Sequence, residues 1–136
     1  MSLEIEALAA DVVDLGFHIH RELGPGLLES AYELVLASAL EQKGLTVERQ
    51  RRIDIEFRGL HIPDAFRADL IVENRLIVEI KSVEKLAGVH AKQLLTYLRL
   101  LDQPLGLLMN FGAELYRDGV RRVVNGPSSF VRTRPR

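Results

Sequence analysis

Phe66-Arg67-Ala68-Asp69-Leu70-Ile71-Val72-Glu73-Asn74-Arg75-Leu76-Ile77-Val78-Glu79-Ile80-Lys81-Ser82 is the stretch on which the reading of this chain turns. Two apolar runs rich in β-branched residues flank the polar connection Glu73-Asn74-Arg75, the pattern of two strands joined by a tight turn. Nearly every position in both runs is apolar, so both faces of their sheet should be covered. Against that background Asp69, Glu79 and Lys81 stand out as charged residues inside strands. Glu79 and Lys81 are two apart and point to the same face. A three-residue connection sets Val72 opposite Leu76 and therefore Asp69 opposite Glu79. Asp69, Glu79 and Lys81 then share one face, while Leu70, Val72, Val78 and Ile80 line the other. A two-residue turn would shift the register by one and send Asp69 away from Glu79. The register that gathers the charges also leaves an unbroken apolar face.

Opposed carboxylates repel unless something positive lies between them. A hard divalent cation such as Mg²⁺ or Mn²⁺ is the natural filler, bound by oxygen ligands with water completing its shell. Lys81 beside it could neutralise charge developing on a phosphate or orient an attacking water. A structural ion pair, in which Lys81 balances Glu79 and Asp69, accounts for the same spacing.

Outward from this core, apolar residues at Ile5, Leu8, Val12, Leu15, Ile19 and Leu23 recur at steps of three and four, one face of a helix, with Ser2 as a candidate N-cap. Gly24-Pro25-Gly26 breaks the chain, and a second helix follows over about residues 27–43, with Gly44 past its end. Ile53, Ile55 and Phe57 alternate as in a strand, Gly59 marks a turn, and Pro63-Asp64 follows it. Beyond the two decisive strands, Leu94, Leu95, Leu98 and Leu101 restore helical spacing over residues 90–102 until Pro104. Leu105 to Phe111 reads as a buried strand and Glu114 to Asn125 as a hairpin around Asp118-Gly119. The order α-α-β-β-β-α-β-β predicts an α/β sandwich with a mixed sheet. Residues 1–125 are expected to form one domain, and residues 126–136, rich in Pro, Ser and Arg, a frayed tail.

At 136 residues the chain has room for one domain with a real core. It has no cysteine, which excludes a disulfide framework, a thiolate metal site and a cysteine nucleophile. No run approaches the roughly 18 apolar residues that span a bilayer, and the first residues are acidic where a signal peptide would be basic. A cytoplasmic protein without membrane contact is the expectation. Net charge is −1 but uneven: residues 1–45 carry eight acids and two bases. The bases are 14 Arg and 4 Lys. Arginine forks suit phosphates, although genome composition alone can produce such a ratio.

Two further pairs sit on helix faces. Glu29 and Tyr32 are three apart in the second helix; Gln93 and Tyr97 are four apart in the third. Alone, Glu29 reads as a first-turn acid favoured by the helix dipole, and Gln93 with Tyr97 as a half-buried polar seam. His18 and His20 diverge by about 200° around a helix and cannot share a metal. His61 falls in a loop and His90 at a helix start. Arg49, Arg51, Arg52, Arg121 and Arg122 are candidate phosphate contacts, each more simply read as a solvated charge.

Taken together, Asp69, nine residues, then Glu79-Ile80-Lys81 resembles the D…ExK core of the PD-(D/E)XK nuclease superfamily, with Ala68 where the name has proline. Gln93-Leu-Leu-Thr-Tyr97 resembles the QxxxY element of its exonuclease-like branch, and Gly26-Leu-Leu-Glu29-Ser-Ala-Tyr32 is similar to the pattern that names the small bacterial GxxExxY proteins. The resemblance runs from about His18 to Asn125. It implies a restriction-endonuclease-like fold, a four-stranded mixed core sheet flanked by helices. Asp69 and Glu79 would ligate Mg²⁺ or Mn²⁺, assisted by the Ile80 carbonyl. Glu29 would be a further acid, directly or through water, and Lys81 would sit beside the attacking water. Gln93, Tyr97 and Tyr32 would brace the site or contact substrate.

The function so implied is metal-dependent hydrolysis of DNA or RNA phosphodiester bonds. Two alternatives differ in kind. A non-catalytic module that kept the fold would bind nucleic acid or a protein partner, and loss of Glu79 or Lys81 would have favoured it. An enzyme for a small phosphorylated molecule fits the modest net charge, since duplex-binding surfaces are usually more basic. A core this small reaches few nucleotides, which makes a homodimer a further expectation.

Overall fold

A computed structural model describes residues 3–126. The Ser2 cap and the tail after Gly126 lie outside the described residues. Two helices, α1 (Leu3–Leu23) and α2 (Glu29–Gln42), precede the strands β1 (Val47–Phe57), β2 (Leu60–Val72) and β3 (Leu76–Lys81). Helix α3 (Gly88–Leu101) leads to β4 (Leu105–Asn110), a single turn α4 (Tyr116–Gly119) and β5 (Val120–Val124). The five strands form one sheet in the order β1-β2-β3-β4-β5, antiparallel except for the parallel β3–β4 pair that α3 connects. A parallel pair needs such a crossover, because a short turn can join only antiparallel neighbours.

The sheet's centre, β3, β4 and the end of β2, is covered on both faces, as its continuous apolar strands require, while β1 and the start of β2 form an exposed ribbon. Leu70, Val72, Val78, Ile80, Leu107 and Met109 pack against α1 and α2. Ile71, Ile77 and Leu108, one residue out of phase, pack with Ile53 and Ala68 under Leu94 and Leu98 of α3. At Gly106 a Cβ would lie 3.1 Å from Leu94 Cδ1, so the glycine lets α3 settle close onto β4. That close approach sets the height of Gln93 and Tyr97 above the sheet.

Val72 opposes Leu76 and Leu70 opposes Val78, the register expected from a three-residue connection. Glu73 and Asn74 take the left-handed conformation there, with φ of 53° and 55°. Helix α2 ends as its glycine predicts: Gly44, at φ 88°, donates to Glu41 O, and Leu45 N donates to Leu40 O.

Three details differ from the sequence reading. Helix α2 starts at Glu29 rather than 27, because the phenolic oxygen of Tyr32 accepts from Leu27 N at 3.0 Å and donates to Gly24 O. These bonds hold residues 24–27 as a bent strap, with Gly24 at φ 74°. Strand β2 begins at Leu60, not Phe66, and Pro63-Asp64 is a bulge inside it. Ile55 pairs with Ile62 but Ile53 with Phe66, and Asp64 N donates to Asp54 Oδ1. The hairpin expected at Glu114–Asn125 is instead α4 followed by β5, which returns along β4. Tyr116 explains this: its hydroxyl donates to Val13 O at 2.7 Å, drawing the segment onto α1.

Candidate active site

The β2–β3 ladder stops after Leu70 and Val78, and side chains take over at the next position. Asp69 N donates to Glu79 Oε2 at 2.9 Å, and Ile80 N donates to Asp69 Oδ2 at 2.8 Å. Each carboxylate thus replaces a backbone acceptor of the parting strands. The exchange fixes both acids face to face and leaves one oxygen of each for other work. Oε1 of Glu79 accepts nothing among the described residues, and Oδ1 of Asp69 accepts only a long 3.2 Å bond from Gln50 Nε2.

A hollow of about 430 Å³ opens over these acids, lined by Asp69, Glu79, Lys81, Gln93, Tyr97, Gln50 and the β2 residues Asp64, Phe66 and Arg67. Five of the residues singled out from the sequence therefore meet in one place. Burial is the largest influence on Glu79, which is only 6% exposed, and the neighbouring Asp69 charge is the second. Together they push its carboxyl up to about 8, against the pull of the Asp69 amide and Lys81. Burial, and then the charges of Glu79 and Asp69, also hold the Tyr97 phenol above its usual range, while a hydrogen bond with Gln93 opposes that shift. Tyr97 stacks on Phe66 with ring centroids 3.9 Å apart, which ties α3 to the ribbon of β1 and β2.

Glu29 and Tyr32 do not line this hollow. Glu29 is exposed at the first turn of α2, in a separate depression with Leu27, Leu28, Ser30 and Ser82. Tyr32 is buried, stacks on Phe111 at 4.7 Å and secures the strap before α2. The acid of α2 that approaches the pair is Glu33, one turn further on and 5% exposed. It accepts from Arg49 Nε at 3.2 Å and from Gln50 Nε2 at 2.6 Å. The Gln50 amide donates to Glu33 and Asp69 together and so joins α2 to the acid pair. Gln50 sits across from Asp69, unpaired in the ladder, at a φ of 52° that costs a non-glycine residue free energy.

The remaining candidates are occupied elsewhere. Arg49 pairs with Glu33, Arg51 with Glu48, Arg52 with Asp64 and Arg122 with Glu6. Arg121 lines another hollow with Glu114 and Asp118. His20 is buried with its Nε2 2.7 Å from Ala113 O, and His90 Nδ1 accepts from Ala87 N at the start of α3.

A family model described as the PD-(D/E)XK nuclease superfamily matches residues 6–123. The chain belongs to the PD-(D/E)XK nuclease superfamily. The three-layer arrangement with a mixed sheet is consistent with the restriction-endonuclease-like fold of that superfamily. Compared with curated proteins and with solved structures, the chain matches none. Members of the superfamily generally use divalent metals. Among the described residues, no group of three or more His, Asp or Glu side chains is disposed to hold an ion. The available donors are all hard oxygens, namely Oε1 of Glu79 and the weakly engaged Oδ1 of Asp69, which suits Mg²⁺ or Mn²⁺ with carbonyl and water ligands making up the shell. No helix among the described residues is long and apolar enough to cross a membrane.

Proposed function

We propose that this PD-(D/E)XK domain hydrolyses phosphodiester bonds of DNA or RNA with Mg²⁺ or Mn²⁺ held by Asp69, Glu79 and the Ile80 carbonyl. The observation that carries the reading is the facing acid pair, buried enough to retain a proton at neutral pH, with Lys81 in the same hollow. Two carboxylates held together by backbone amides are a poor structural device and a good cation receptor. When bound, the cation would polarise the phosphate and make water a stronger nucleophile near neutral pH.

The chain's own residues have separable tasks in this reading. Lys81 donates to a non-bridging phosphate oxygen and steadies the attacking water as negative charge grows. Gln93 and Tyr97 orient the phosphate from the α3 side by hydrogen bonding, without ligating metal. Of the two acids on α2, the buried Glu33 is the better supported third carboxylate, since Gln50 already links it to Asp69. Glu29 would act only from the rim. Gly26, Glu29 and Tyr32 support membership of the GxxExxY group within the superfamily, with Tyr32 serving the strap before α2.

The test is cleavage of labelled single-stranded, duplex and branched DNA and RNA in Mg²⁺ or Mn²⁺. Wild-type protein should cut at least one of these substrates. Lys81→Met should fold, bind metal and cleave slower by at least two orders of magnitude. Equal activity per folded molecule would remove Lys81 from the mechanism, and no cleavage by wild type in any arm would favour a binding module.

A further inference from the structure

Arg67 lies two residues before Asp69 on β2, exposed and in the wall of the same hollow as Asp69, Glu79 and Lys81. The register sets it directly across from Arg52. Like charges facing each other on antiparallel strands are destabilising. Here Arg52 is drawn aside by Asp64 at 3.3 Å, whereas the Arg67 guanidinium has no ion pair or hydrogen bond among the described residues. Its neighbours Arg49 and Arg51 are both engaged with acids. Nor does Arg67 close on Asp69, whose oxygens already face Ile80 N and Gln50.

The position of Arg67 is nonetheless well defined. The preceding residue, Phe66, is stacked flat on Tyr97, and the pairing of Arg67 with Arg52 continues the ladder. A guanidinium presents a planar fork of donors that matches a phosphate in two-point contact. An open fork beside a two-acid centre, against the cost of a facing arginine, points to an anion that comes with the substrate.

We infer that Arg67 holds a backbone phosphate of the nucleic-acid substrate next to the bond that is cut. This rests on the nuclease reading above. Arg67 is then a substrate-binding residue whose effect falls on affinity, with Lys81 carrying the chemical step.

The test is binding of a short single-stranded oligonucleotide, measured by fluorescence anisotropy across a salt series in Ca²⁺, an oxygen-binding cation used in place of Mg²⁺ or Mn²⁺ so that the strand is held without being cut. One phosphate contact on a single strand contributes about 0.7 to the slope of log affinity against log salt. Arg67→Ala should weaken binding roughly tenfold at about 0.1 M salt and reduce that slope by about 0.7. Arg67→Lys should keep the slope, because the charge remains, and recover only part of the affinity, because the fork is gone. The melting temperature should stay within a degree or two in both variants, since the side chain is exposed and unpaired. An unchanged affinity and slope in Arg67→Ala would overturn the assignment, as would a large fall in its melting temperature, which would make Arg67 structural. Failure of the wild-type protein to bind single-stranded, duplex and branched oligonucleotides alike, as DNA or as RNA, at any salt would overturn the nuclease reading as well.

Discussion

At the scale of single residues, Glu79 controls how the site responds to pH. Its carboxyl titrates near 8 in the folded chain, chiefly because it is buried and secondarily because Asp69 faces it, against 4.5 for an unperturbed glutamate. Between those values the folded protein holds a proton that the unfolded chain has lost. Stability from this group is therefore complete below about pH 4.5 and falls away as pH rises through about 8. Denaturant titrations of metal-free protein should show stability declining across that window, and Glu79→Gln should flatten the decline. A cation must displace the same proton. Apparent Mn²⁺ affinity, measured calorimetrically, should rise about tenfold per pH unit up to about pH 8 and then level off. A pH-independent affinity would mean that Glu79 is not a ligand.

At the scale of elements, the site is a meeting of one parted strand pair with a helix on each side. The strand pair was legible from sequence because side chains alternate with a period of two. Only the register with Val72 opposite Leu76 keeps Leu70, Val72, Val78 and Ile80 on one apolar face. The contribution of α3 was legible for a similar reason, Gln93 and Tyr97 being one turn apart on the face that Leu94 and Leu98 anchor. The contribution of α2 was not. Glu29 and Glu33 are also one turn apart on one face, and helical periodicity says nothing about which turn lies deep against the sheet. The strap held by Tyr32 decides that, and it is a tertiary feature. Gln50 escaped notice because its role depends on a left-handed conformation within a strand, and Arg67 because its partner is drawn away at the Pro63-Asp64 bulge. The two acids of α2 give opposite expectations. Glu33→Gln should weaken Mn²⁺ binding or turnover by at least tenfold, whereas Glu29→Gln should change either by less than threefold. The reverse ranking, read from titrations of the two variants, would return the helix acid to the rim.

At the scale of the whole molecule, the proposed function makes the acid pair a place where stability is given up for chemistry. A sheet whose central strands are covered on both faces by apolar side chains would close most simply if β2 and β3 stayed paired to their ends. Instead the ladder yields at Asp69, two carboxylates fill the gap, and a strained Gln50 spans from one of them to α2. If the proposed function holds, a divalent cation should stabilise this centre, because it would bind the folded state and not the unfolded chain. At a concentration about a hundred times its dissociation constant a single ion adds about 2.7 kcal/mol. For a domain of this size that corresponds to a rise in Tm of roughly 8–10 °C. Asp69→Asn keeps an acceptor for Ile80 N but removes the charge that faces Glu79. Without metal, the variant should melt at the same temperature as the wild type or higher, since the part-buried Asp69 charge is removed. In saturating Mn²⁺ the order should reverse, with the wild type gaining its full increment and the variant little or none. Thermal scans of both proteins with EDTA and with millimolar Mn²⁺ measure all four values. A purely structural network predicts no such crossing: the substitution would lower the melting temperature under both conditions, and Mn²⁺ would move neither protein.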